Sequence, residues 1–114
     1  MPIFVDTSAF YALLSASDEH HEAARSGWSA LAAQQPQLVT TNYVLVETLA
    51  LIGRRLGFEA VRAFQRDFVP ILHVVWVSEE RHRVAVDALL TAGDRSPSLV
   101  DCVSFATMRH PGLE

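Results

Sequence analysis

Ile3-Phe4-Val5-Asp6-Thr7-Ser8-Ala9 is the stretch on which the fold turns. Its three consecutive apolar residues fit a short strand covered on both faces, and the Asp-Thr-Ser that follows offers side-chain oxygens suited to capping a helix. The chain therefore opens as strand, turn and helix, and the alternation continues. Ser17 or Asp18 caps a second helix, in which Ala24, Trp28, Leu31 and Ala32 recur at helical spacing until Gln34-Gln35-Pro36. Leu38-Val39 is a brief strand. Thr41 or Asn42 then caps a strongly apolar third helix that runs to about Leu56, with Gly57 just past its end.

Val61, Phe64 and Phe68 share one face of a fourth helix, Phe58 to Val69, which Pro70 closes. His73 to Val77 reads as a strand. Glu79 and Glu80 form the acidic first turn of a fifth helix, whose buried stripe is Val84, Ala85, Ala88 and Leu89 before Gly93. Asp94 to Pro97 is a loop, and Ser98-Leu99-Val100-Asp101 has capping-box form at the head of a last helix that runs to about Arg109. Short buried strands alternating with helices define an α/β class with a parallel sheet.

At 114 residues, half of them hydrophobic, the chain fits one compact domain spanning 1–114. The start Met1-Pro2-Ile3-Phe4-Val5 has no basic leader, and no apolar run approaches the roughly 20 residues that span a bilayer. A cytoplasmic protein with no membrane contact is expected. The single cysteine, Cys102, excludes an internal disulfide, and no Cys/His spacing suits zinc. All nine basic residues other than His are Arg, so P-loop and Schiff-base lysine chemistry are excluded. A net charge of −4 argues against a strongly basic nucleic-acid surface. Arg62 and Arg66, at i and i+4, supply at most a modest basic strip.

Three carboxylates carry the chemistry. Asp6 ends the first strand, where open parallel sheets bind ligands, although an Asp there also caps a helix. Glu47 has apolar helical neighbours, Tyr43, Val44, Ala50 and Leu51, so it reads as a carboxylate on an apolar face. Such a group needs an ion pair, a hydrogen bond or a metal. Asp101 shares a narrow polar edge with Ser104 and Thr107 in an otherwise apolar helix, and plain capping is its bland alternative. Together the three form the hard-oxygen donor set that Mg²⁺ and Mn²⁺ take, and such ions activate water against phosphodiesters.

Ile3-Phe4-Val5-Asp6-Thr7-Ser8-Ala9, Val46-Glu47-Thr48 and Ser98-Leu99-Val100-Asp101-Cys102-Val103-Ser104-Phe105 resemble the three acidic motifs of PIN domains, especially the VapC-like toxins of bacterial toxin–antitoxin pairs. The resemblance implies an α/β/α sandwich around a central parallel sheet, and a metal-dependent endoribonuclease repressed by a small antitoxin. It gives Asp6, Glu47 and Asp101 as metal ligands, with Ser8 as the adjoining polar residue; on the reading adopted from it, the Thr7 and Ser8 hydroxyls position water or phosphate. It also implies a homodimer, seated on apolar surface of the third and fourth helices. The family commonly adds a last strand with a fourth acidic residue, so the chain reads as C-terminally truncated relative to it. Asp94 and Glu114 are the remaining acidic candidates, Asp94 reading as a turn residue and Glu114 as a terminal one.

Two other function classes stay in view. One is a catalytically silent PIN-like binding module that acts through an antitoxin or dimer partner. The other is a metal-dependent phosphatase or nuclease of another α/β family, which lacks the Asp-x-Asp motif of a haloacid-dehalogenase-like site because Ser8 stands where the second Asp belongs. His20 and His21 read as solvent-facing, His73, His82 and His110 as isolated, and Cys102 as a small core residue. Trp28, Phe64, Phe68 and Trp76 read as packing residues.

Overall fold

A computed structural model describes residues 2–34, 37–93 and 98–108. Strand β1 (Ile3–Phe4) leads into α1 (Thr7–Leu14) and α2 (His21–Gln34), then β2 (Leu38–Thr41) into α3 (Asn42–Arg55) and α4 (Phe58–Ala63). Strand β3 (Leu72–Val75), α5 (Glu79–Ala92) and α6 (Leu99–Met108) complete the order. The strands form a parallel sheet in the order β1-β2-β3, with Ile3 opposite Leu38 and Leu38 opposite Leu72. All four residues of β2 are buried, as a central strand flanked by helices requires. The α/β class with a parallel sheet is as the sequence indicates.

The caps explain most of the boundaries. Asp6 caps α1, accepting the Ala9 N–H, and Thr41 caps α3, accepting the Val44 N–H. Ser78 does the same for α5 through the Arg81 N–H. Gly57 sits at φ 94°, a backbone that side chains with a Cβ rarely adopt, and there α3 ends and α4 starts. The fourth helix departs from expectation. After Ala63 it widens into a π turn over Phe64–Phe68 and tightens into a 3₁₀ turn over Val69–Ile71, passing through Pro70. Proline is tolerated there because the first residues of a helical turn have no internal partner for an N–H. In consequence β3 begins at Leu72, one residue before the predicted His73, and ends at Val75.

Val5, Phe10, Leu38, Val44, Ile52 and Phe64 make the core, with Trp28, Val61 and Phe68 packed against it. Phe10 meets Phe64 edge-on at 5.0 Å, and Trp28 meets Phe68 edge-on at 5.4 Å, so α1, α2 and the π turn share one aromatic cluster. Such pairs contribute about 0.5–1.5 kcal/mol beyond their buried area. Trp76 is not a packing residue: it is 73 % exposed between β3 and α5. Other large apolar side chains in the open include Val46, Phe58, Val84 and Leu90. No helix among the described residues is long and apolar enough to cross a membrane.

Candidate functional site

Each candidate carboxylate is placed by a different element. Asp6 follows β1 and caps α1. Its Oδ1 accepts the Ala9 N–H at 3.2 Å and the Ser8 hydroxyl at 2.8 Å, so one oxygen is fixed by two donors. Capping and ligation do not compete at this residue, because Oδ2 takes part in neither bond. Ser8, expected beside the site, is exposed and acts on Asp6 directly.

Glu47 lies in the second turn of α3 and is exposed, which corrects the expectation of a carboxylate held on a covered apolar face. The helix hides one stripe, Val44, Thr48 and Ile52, at intervals of four. Val46 and Ala50 beside Glu47 are apolar yet exposed, so apolar composition misjudged which side is covered. Asp101 stands in the first turn of α6, also exposed. Ser98 Oγ accepts the Asp101 N–H at 3.1 Å, so capping falls to the serine. The polar edge predicted around Asp101 is closed below it, since Ser104 and Thr107 are buried and the Thr107 hydroxyl donates to Val103 O at 2.8 Å.

No Arg or His among the described residues forms an ion pair with Asp6, Glu47 or Asp101. Elements α1 and α3 pack together, and α6 touches α3. As placed, the side chains do not close into a cage: among the described residues no three His, Cys, Asp or Glu form a group ready to hold an ion. The donors nonetheless suit a hard divalent cation, being exposed carboxylates without a protein counter-charge, two of them on elements bonded to each other. That bond is made by threonines. Thr48 Oγ1 donates to Thr7 Oγ1 at 3.0 Å, and Thr7 Oγ1 donates onward to Val44 O at 3.5 Å. Thr7 was expected to position water or phosphate, but its hydroxyl is buried between helices and faces neither. Residues Asp94 and Glu114 lie outside the described residues.

Other expectations also change. His21 is half-buried and its Nδ1 donates to Ala12 O at 2.7 Å, while His20 stays exposed beside Glu19. His82 bonds the Tyr43 hydroxyl, tying α5 to α3. The Arg62–Arg66 strip is not free cationic surface. Arg62 pairs with Glu59 at 3.5 Å and lies over the Phe58 ring, and Arg66 pairs with Asp67 at 2.9 Å. An open apolar pocket of about 360 Å³, lined by Ile3, Val5, Trp28, Leu31 and Met108, has Asp6 among its lining residues.

The PIN-domain family model matches residues 3–114. This chain belongs to the PIN-domain family. It is 37% identical over 113 residues to the 23S rRNA-specific endonuclease VapC20 of Mycobacterium tuberculosis, a match that takes in 98% of this chain and 84% of the relative. It also superposes on the crystal structure of M. tuberculosis VapC20, described as a sarcin–ricin loop cleaving toxin, with a TM-score of 0.79 and 34% identity. That superposition covers 96% of this chain and 82% of the other. The PIN-type fold expected from the three acidic motifs is thereby established.

Proposed function

We propose that this PIN domain is an Mg²⁺- or Mn²⁺-dependent endoribonuclease, the toxin half of a cytoplasmic toxin–antitoxin pair. The observation that carries the reading is the set of exposed carboxylates, Asp6, Glu47 and Asp101, borne on elements that pack together and lacking any cationic partner among the described residues. These residues would hold the ion. A divalent ion bound there supplies a nucleophilic water at neutral pH and stabilises charge on the phosphate. The chain's own share is positional. Ser8 and the Ala9 N–H fix one oxygen of Asp6, and Ser98 fixes the first turn of α6 beneath Asp101.

Because Arg62 and Arg66 are already paired, substrate capture rests more on the ion and on RNA shape than on a basic face. The specificity of the M. tuberculosis relative makes 23S rRNA, and within it the sarcin–ricin loop, the first substrate to assay. Exposed Val46 on α3 and Phe58 on α4 are the apolar side chains proposed to meet a second copy of the chain or an antitoxin. A silent binding module is the second reading, favoured by the carboxylates' failure to converge as placed.

The deciding experiment pairs Mn²⁺ calorimetry with cleavage of a sarcin–ricin loop hairpin, on the wild type, Asp6→Asn and Asp101→Asn. Metal binding and cleavage in the wild type, both lost in folded variants, are expected. Cleavage that persists undiminished in either variant sinks the carboxylate mechanism. Metal-free, inactive wild type selects the silent module.

A further inference from the structure

Four threonine hydroxyls run through the interior where β1, β2, α1 and α3 meet. Thr40 Oγ1 donates to Val5 O at 2.8 Å, and Thr41 Oγ1 accepts the Val44 N–H at 3.2 Å. Thr48 Oγ1 donates to Thr7 Oγ1 at 3.0 Å, which donates to Val44 O. Thr40, Thr41 and Thr48 are 0% exposed and Thr7 only 9%. Stability does not account for the Thr7–Thr48 hydroxyl pair within it. Replacing both members of a buried hydrogen bond by apolar groups of the same shape is close to neutral, so a pair of valines would fill the space as well. A hydrogen bond adds a fixed length and direction, which dispersion contacts lack.

The position of the seam in the sequence gives that property a use. Thr7 follows Asp6 directly, and Thr48 follows Glu47 directly. The two carboxylates make no bond to each other among the described residues, and each is exposed, so their separation is set by what holds their backbones. We infer that Thr7 and Thr48 are positioning residues, whose buried hydroxyl–hydroxyl bond sets the spacing of Asp6 and Glu47 and so the site's affinity for a divalent cation. The Thr40–Val5 bond anchors the same end of β1 from beneath. This inference rests on the reading of Asp6 and Glu47 as ligands.

The test uses Mn²⁺ as the probe, in calorimetry on the full chain, with unfolding of the metal-free protein followed in parallel. Thr48→Val and Thr7→Val should each weaken Mn²⁺ binding about tenfold, the lower end of the range found when groups behind metal ligands are removed. Thr48→Ser, which keeps the hydroxyl, should restore it. The double variant Thr7→Val/Thr48→Val leaves neither hydroxyl without its mate and should regain the stability lost in the single variants, but not the affinity. That divergence is something a purely structural role would not produce, and it also covers the case in which a single variant fails to fold. Equal Mn²⁺ affinity in the wild type and the folded valine variants, with binding still lost in Asp6→Asn, overturns the positioning role alone. Absence of binding in the wild type, or its survival in Asp6→Asn, overturns the ligand reading beneath it.

Discussion

Substitution of Asp6 separates the capping that its carboxylate performs from the metal ligation proposed for it. As a cap, its Oδ1 accepts the Ala9 N–H at 3.2 Å and the Ser8 hydroxyl at 2.8 Å. Asparagine keeps an oxygen in that place and ranks with aspartate at helix N-caps, so Asp6→Asn should stay within about 0.5 kcal/mol of the wild type. Alanine removes the acceptor and costs about 1 kcal/mol. For a chain of 114 residues that is a fall in Tm of about 4 °C. As a ligand, the charge is what matters. Mn²⁺ at about a hundred times its Kd adds about 2.7 kcal/mol to the wild type, or roughly 10 °C, and should add nothing to either variant. Thermal unfolding of the three proteins, with Mn²⁺ and with chelator, reads both effects. A full Mn²⁺ shift in Asp6→Asn refutes the ligand role, and an Asp6→Ala protein as stable as Asp6→Asn refutes the cap energetics.

Phe64 is fully buried, edge-on to Phe10 and stacked at 5.9 Å on Phe68, so Phe64→Ala should cost about 3–5 kcal/mol in urea unfolding; a loss below about 1 kcal/mol contradicts its place in the core. The Arg66 guanidinium, hydrogen-bonded to Asp67, holds that carboxyl below its ordinary value of 3.8. A lowered folded-state value means the pair's contribution is complete above 3.8 and is lost as pH falls through the lowered value. Asp67→Asn should therefore be slightly less stable than the wild type at neutral pH, and the difference, small because the pair is exposed, should close once the pH has fallen below the lowered value. Replacing Arg62 and Arg66 together by Gln should change RNA affinity less than about twofold and leave its salt dependence unaltered, since both charges are already paired; a flatter salt dependence in a filter-binding titration contradicts this.

Where local chemistry decides structure, the sequence could be read directly. Asp6, Thr41 and Gly57 announce their caps and their turn because each satisfies backbone groups within a few residues. The three acidic motifs identified the family for the same reason, being short and strongly patterned. What failed depended on the third dimension. Glu47 was judged by the apolarity of its neighbours, but only the stripe Val44, Thr48 and Ile52 is covered, and Val46 lies outside it. Trp76 was assigned to packing by residue type, without regard to its place past the end of a four-residue strand. Thr48 was read only as part of the Val46-Glu47-Thr48 motif and its burial was missed, although its interval of four from Val44 and from Ile52 was a usable sign. Pro70 was taken as a stop because the 3₁₀ turn that accommodates it has no distinct sequence signature.

The bonds that hold the Asp6 segment against β2 and the Glu47 helix join residues distant along the chain. Thr40 reaches Val5 across 35 residues, and Thr48 reaches Thr7 across 41. Helices and the α3–α4 corner are local and form in microseconds, whereas parallel pairing must first close long loops and is slower by orders of magnitude. The spacing of Asp6 and Glu47 is thus one of the last things folding delivers, and it arrives whole. A nascent chain still missing α3 can be helical and compact with no half-built site to offer. For an enzyme proposed to cut ribosomal RNA, made on a ribosome, that timing confines its first opportunity to act to the moment when synthesis of its own core is over.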